Sequence, residues 1–215
     1  MYVRKNMALF LDRDGVINVE HGYVHCREAF HFQEGIFELC RAAQARGYLL
    51  VVVTNQAGIA RGYYSESDFL ELTAWMVEKC AEQQIHIARV YYCPYHPIHG
   101  VGRYRCDSLD RKPKPGMLFR ARTDFNLDLT ASVLIGDKLS DIYAAKAAGV
   151  GTTILLRGGV ASIGTRQDQW YISDSLGDVR RRFFSFAMEE GSGWADPLQR
   201  CARTVGGGRS YPGES

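Results

Sequence analysis

The chain has 215 residues, 46% of them hydrophobic and 23% charged, a size and balance that suit one globular core and exclude disorder, a collagen-like repeat or a fibrous coiled coil. The 26 Lys and Arg against 24 Asp and Glu leave a formal charge of only +2, without the single-sign excess that a nucleic-acid footprint or an electrostatic membrane contact needs. No stretch reaches the roughly 18 consecutive apolar residues of a membrane span, and the apolar run behind Arg4 and Lys5 is cut at Asp12, too short for the core of a signal peptide, so the expected compartment is the cytoplasm.

Short β-rich runs alternate with longer segments of helical period. Met7 to Leu11 is the first predicted strand, and Gly35 to Arg46 follows as a helix with Ile36, Leu39, Cys40 and Ala43 on one face. Tyr48 to Val53 is the second strand. Ser65 to Gln83 is the next helix, with Phe69, Leu72, Met76 and Cys80 facing a core and Ser65 and Asp68 spaced as a capping box. Ile87 to Tyr92 is the third strand, Pro115 opens a helix through Phe125, and Ser132 to Ile135 and Val150 to Leu156 are the fourth and fifth strands. Trp170 to Ile172 and Ser175 to Phe184 add a last short strand and helix. From about Glu189 the chain turns Gly-rich and loses apolar periodicity, which predicts one domain over residues 1–188 and a flexible tail over 189–215. The six cysteines, Cys26, Cys40, Cys80, Cys93, Cys106 and Cys201, make no disulfide framework and read as mostly reduced thiols.

Alternating strands and helices predict an α/β fold, a doubly wound and mostly parallel sheet covered on both faces. Ligands collect outside the carboxyl ends of such strands. There the sequence places Asp12 after the first strand, Thr54 after the second, Cys93 after the third and Asp137 after the fourth. Two carboxylates two positions apart, Asp12 and Asp14, repel unless a cation lies between them, and hard oxygen ligands suit Mg²⁺. A polar turn with two surface acids is the plain alternative for that pair alone. Thr54-Asn55-Gln56 before Gly58 offers a hydroxyl and backbone amides to a phosphate, and Arg111-Lys112-Pro113-Lys114 sets fixed positive charge ahead of a helix. Helix caps and a solvated turn explain each singly, but not all of them in order behind successive strands.

The stretches LFLDRDGVIN, EHGYVH, VVVTNQAGIARGYY, YYCPYHP, DRKPKPGM and IGDKLSDIYAAKAAGV resemble the haloacid dehalogenase-like phosphatases over about residues 7 to 185. Within them the chain is most similar to the heptose 1,7-bisphosphate phosphatases and, more distantly, to the histidinol-phosphate phosphatases. The resemblance implies that Asp12 is the nucleophile, that Asp14 is first the acid and then the base, and that Thr54 and Lys112 hold the phosphoryl oxygens. It implies Mg²⁺ on Asp12, the Asp14 backbone carbonyl and Asp137. Glu20, His21, Gly22, Tyr23, Asn55, Gln56, Ala57, Arg111 and Lys138 would then meet the sugar or its phosphates. The short spans between motifs leave no room for a separate cap domain. The expected ligand is a small sugar phosphate, with no nucleic-acid or membrane partner, bound by a monomer.

Relatives of the heptose type often hold a zinc ion beside this site through one His and three Cys. Here Tyr95 stands where that His would be and Ser108 where the last Cys would be. Cys93, His96, His99 and Cys106 remain as an irregular two-Cys, two-His set that matches no standard spacing. The alternative is a loop stiffened by Tyr91, Tyr92, Pro94, Tyr95 and Pro97. Rival functions are a phosphatase for histidinol phosphate or another small phosphorylated alcohol, a polynucleotide end phosphatase, and a catalytically silent sugar-phosphate-binding regulator. Near-neutral charge weighs against the second, and intact Asp12 and Asp14 weigh against the third.

Overall fold

The computed structural model describes residues 5–157, 166–167 and 170–185. The tail expected over 189–215 lies outside these residues, as does Cys201.

Five apolar runs form the strands that the sequence predicts: β1 (Met7–Leu11), β2 (Tyr48–Asn55), β3 (Ile87–Cys93), β4 (Val133–Gly136) and β5 (Thr152–Leu156). Thr54 and Cys93 lie within the final residues of β2 and β3 rather than after them, because both strands run further than their apolar stretches. β7 (Trp170–Ser173) continues the sheet in parallel, and the two-residue β6 (Arg166–Gln167) pairs antiparallel at its edge. The strand order is β3-β2-β1-β4-β5-β7-β6. β1 therefore lies where the chain, having wound outward through β2 and β3, returns to add β4 on the other side. The crevice at the carboxyl end of β1 is the reversal point at which open α/β sheets bind ligands.

Both faces of the sheet are buried, as parallel strands require. Alternate residues of β1 and β2 part cleanly: Leu9, Leu11, Leu50 and Val52 pack into one core and Ala8, Phe10, Val51 and Val53 into the other. The first core is closed by α1 (Ile36–Ala45) and α3 (Glu66–Glu82), with Leu176 and Val179 of the short α6 (Leu176–Val179). The π-helical turn Arg180–Phe184 follows α6 and buries Phe184 against Tyr48. The second core is closed by α4 (Gly116–Phe125) and α5 (Leu139–Ala148). A one-turn helix, α2 (Ala57–Ala60), follows β2. No domain interrupts the chain between β1 and β5, and no helix among the described residues is long and apolar enough to cross a membrane.

Candidate active site

The backbone of Asp12 extends the β1 ladder by donating to the Ile135 carbonyl at 3.1 Å. This brings its carboxylate alongside the end of β4, where Asp137 follows Gly136 and Asp141 occupies the first turn of α5. Carboxylate oxygens of Asp12, Asp137 and Asp141 lie within 4.8 Å of one another. Buried Lys112 enters this group from the other side. Its ammonium is 2.9 Å from Asp12 Oδ2 and 2.6 Å from Asp141 Oδ1, and it donates to the Val53 carbonyl at 2.8 Å. Burial opposes the Lys112 charge, but Asp12 and Asp141 outweigh it and raise its pKa, so the lysine stays cationic.

One buried cation does not balance three acids. Burial and then the charge of Asp12 push Asp137 up to about 6, and Asp137 Oδ1 is buried without a hydrogen-bond partner. An orphaned carboxylate oxygen facing two other acids is the donor set of a hard divalent cation. The residues present therefore fit Mg²⁺.

The Asp14 carboxylate points elsewhere. Arg13 donates to Oδ1 from Nε at 3.1 Å and to both oxygens from Nη2 at 2.8 and 2.9 Å, Asn18 Nδ2 donates to Oδ1 at 3.2 Å, and Gln56 Nε2 donates to Oδ2 at 3.1 Å. Arg13 is itself buried, over the Phe69 ring. Asn55 makes a reciprocal pair with the Lys112 backbone, donating to its carbonyl and accepting from its N–H, both at 3.0 Å. That pair sets the lysine loop against β2.

A cleft of about 530 Å³ opens above these groups, lined by Asp12, Asp14, Glu20, Gly22, Tyr23, Asn55, Ala57, Tyr64, Arg111, Lys112, Pro113, Lys138, Ser140 and Asp141. Most of the residues expected at the substrate thus share one wall. Lys138 bridges Glu20 and Asp137 at 3.4 Å each, tying the Glu20 loop to the acid trio. Arg111, half-buried, donates to the Tyr95 carbonyl at 3.2 Å. Four of the expected site residues are not among those that line it: Thr54, 1% exposed, whose Oγ1 accepts from Gln56 Nε2 at 2.9 Å, Asp137, which faces the other two acids, and two of the substrate residues. His21 is exposed and meets the His31 ring edge-on, and Gln56 is 1% exposed, with its amide bonded to Asp14, Thr54 and Tyr64. Tyr64, Ser140 and Asp141 line the cleft without having been singled out as site residues.

The irregular zinc set is not assembled. Among the described residues the only cluster of three or more possible metal ligands is the acid trio. The Cys93 thiol is buried against the Tyr95 carbonyl, His96 Nδ1 accepts from the backbone of Ile98 and His99, and Cys106 is exposed. Instead, Glu66 of α3 accepts from Tyr92 at 2.6 Å and from Tyr104 at 3.0 Å, and Tyr104 packs against Tyr95. Aromatic rings and one carboxylate hold the loop.

A family model for HAD-hydrolase-like proteins matches residues 109–179. Over 152 residues the chain is 60% identical to the D-glycero-alpha-D-manno-heptose-1,7-bisphosphate 7-phosphatase of Burkholderia mallei, covering 71% of this chain and 80% of that protein. Over 154 residues it is 49% identical to the D-glycero-beta-D-manno-heptose-1,7-bisphosphate 7-phosphatase of Escherichia coli K12, covering 71% of this chain and 80% of the relative. Among solved structures, a HAD-like phosphatase from Mesorhizobium loti superposes with a TM-score of 0.73 at 36% identity, over 83% of this chain and 86% of the other. The D,D-heptose 1,7-bisphosphate phosphatase of B. bronchiseptica, complexed with magnesium and phosphate, shares the fold with a TM-score of 0.69 at 24% identity, over 82% of this chain and 97% of the other.

Proposed function

The chain belongs to the haloacid dehalogenase-like phosphatases, and from that membership we propose that it removes the 7-phosphate of D-glycero-D-manno-heptose 1,7-bisphosphate, on a path to nucleotide-activated heptose and surface polysaccharide. The observation that carries this reading is the convergence of Asp12, Lys112 and Asp137 at the end of β1, beside a cleft walled by Arg111 and Lys138.

Asp12 attacks phosphorus through a carboxylate oxygen. The bond from phosphorus to the C7 oxygen breaks, its electron pair stays on the sugar oxygen, and that oxygen takes a proton from Asp14. The aspartyl-phosphate is then cleaved by water, whose proton passes to Asp14 as base, so one hard hydrolysis becomes two easier steps. Lys112 and Thr54 hold the phosphoryl oxygens, whose charge is stabilised mainly by positioned donors. Asp12, Asp137 and the Asp14 backbone carbonyl would hold Mg²⁺, with Asp141 engaged by Lys112 beside them, and the ion would supply the positive charge that offsets repulsion between nucleophile and phosphate. Arg111 suits the second phosphate, since its planar fork matches two oxygens at once.

The test is phosphate release with Mg²⁺ from both anomers of the heptose bisphosphate, histidinol phosphate and a few hexose and glycerol phosphates. A large preference for one heptose bisphosphate, lost by at least about a thousandfold in Asp12→Asn, supports the proposal. Activity confined to another substrate overturns the heptose assignment, and activity that survives Asp12→Asn overturns the chemistry.

A further inference from the structure

Gln56 sits at the sugar side of the site in sequence, yet its side chain is buried and every polar atom of its amide is spent on protein. Nε2 donates to Asp14 Oδ2 at 3.1 Å and to Thr54 Oγ1 at 2.9 Å, and Oε1 accepts from the Tyr64 hydroxyl at 2.6 Å. Its backbone N–H is anchored on the Cys93 carbonyl of β3 at 2.8 Å. The other donors to Asp14, Arg13 and Asn18, belong to the same turn as Asp14 and move with it. Gln56 is the donor that reaches Asp14 from just beyond the end of β2, the strand that carries Thr54.

We propose that Gln56, locked by Tyr64, is a positioning residue that fixes the Asp14 carboxyl relative to Thr54 and so aims it at the leaving oxygen. The lock is built deliberately into the backbone. A Cβ on Gly58 would lie 2.1 Å from Tyr64 Cε1, so only glycine there admits the ring, which also stacks on His25 with centroids 5.1 Å apart. The clamp serves both halves of the reaction. In this orientation Nε2 faces a carboxylate; with the amide turned over, Oε1 faces a carboxylic acid, and the hydroxyls of Thr54 and Tyr64, which both donate and accept, satisfy either orientation.

The inference rests on Asp14 acting as the acid, and leaving-group dependence separates the two. An alkyl sugar oxygen needs a proton to depart, whereas p-nitrophenolate does not, and kcat/KM reports the steps up to that departure. We would measure kcat/KM on heptose 1,7-bisphosphate and on p-nitrophenyl phosphate for wild type, Asp14→Asn, Gln56→Met and Tyr64→Phe. The expected result is a loss at least about tenfold larger on the sugar than on the aryl ester in all three variants, smallest in Tyr64→Phe. If Asp14→Asn shows this split but Gln56→Met and Tyr64→Phe lose equally on both substrates, or lose nothing, Gln56 is only structural and the inference falls. Equal losses in Asp14→Asn overturn the acid assignment itself. Should Gln56→Met fail to fold, Tyr64→Phe, which deletes one hydroxyl, decides alone.

Discussion

Two glycines show how little slack surrounds the acids. A Cβ on Gly136 would lie 2.2 Å from the Asp141 Cβ, and one on Gly15, whose φ of +87° already disfavours any other residue, would lie 2.4 Å from Asp137 Oδ2. Gly15→Ala must therefore displace either the turn or the Asp137 carboxylate. Mg²⁺ titration by calorimetry should show affinity weakened by at least about tenfold, of the order that disturbed ligand orientation costs. Asp141 answers to a different constraint, because it is one of two acids that hold the buried Lys112 charged. Asp141→Ala leaves that ammonium with Asp12 as its one remaining acid, and urea unfolding should show a loss of about 3 kcal/mol, the lower end for a broken buried pair, since removing one of three like charges returns part of the cost. Asp12, Asp14, Thr54 and Asp137 are legible in the sequence because each sits at or just beyond a strand end, and Lys112 because it belongs to a basic run ahead of a helix. Asp141 is legible only as one more acid behind the fourth strand, not as a partner of Lys112, and Arg13 and Tyr64 are not legible, because these parts depend on where a side chain points across the fold, which no local pattern records.

At the scale of elements, legibility follows how each one buries its surface. β1 to β5 announce themselves as apolar runs, and α1 and α3 as stripes of large residues. No apolar stripe marks a helix over 139–148, and the reason is visible in α5: its buried residues are Ile142, three alanines and Asp141, so small side chains pack on several sides. β6 has two residues and escapes any periodicity. The start of α3 was readable to the residue. Ser65 Oγ accepts from the Asp68 N–H at 3.1 Å and Asp68 Oδ2 accepts from the Ser65 N–H at 2.8 Å, completing the capping box. Ser65→Ala should cost about 1 kcal/mol of stability in chemical denaturation, with little change in kcat and KM because neither Ser65 nor Asp68 lines the cleft. The Ser65 backbone and hydroxyl hold the Asp68 carboxyl below its ordinary value. A depressed carboxyl contributes its stability above the unfolded value and loses it as pH falls through the folded one, so the gap between wild type and Ser65→Ala should narrow in acid. The loop from Cys93 to Cys106 is an element whose support changed in kind. Metal analysis of the purified protein should find zinc well below one equivalent per chain, and Glu66→Ala, which frees Tyr92 and Tyr104, should raise KM more than it lowers kcat by loosening the Tyr95 carbonyl that anchors Arg111.

For the molecule as a whole, the sheet order makes the site a point of stored repulsion. β1, β4 and the start of α5 each deliver an acid to the same edge because β1 is the reversal point of the winding, and only Lys112 meets them from within the core. A cation held there would stabilise the fold, because the unfolded chain, with the same acids far apart, would not bind it. Linkage then sets the size of the effect: Mg²⁺ at a hundred times its dissociation constant stabilises the native state by about 2.7 kcal/mol. For a domain of this size that corresponds to a thermal midpoint higher by roughly 5–10 °C. Scanning fluorimetry across a Mg²⁺ series should show this rise and its reversal by EDTA. Asp137→Asn removes the carboxylate oxygen that has no protein partner and one of the three repelling charges together. Its midpoint without metal should match or exceed that of wild type while its Mg²⁺ response flattens. A variant that instead lost stability without metal and kept the full response would place the cation away from β4, and would break the link between the winding of the sheet and the chemistry at its edge.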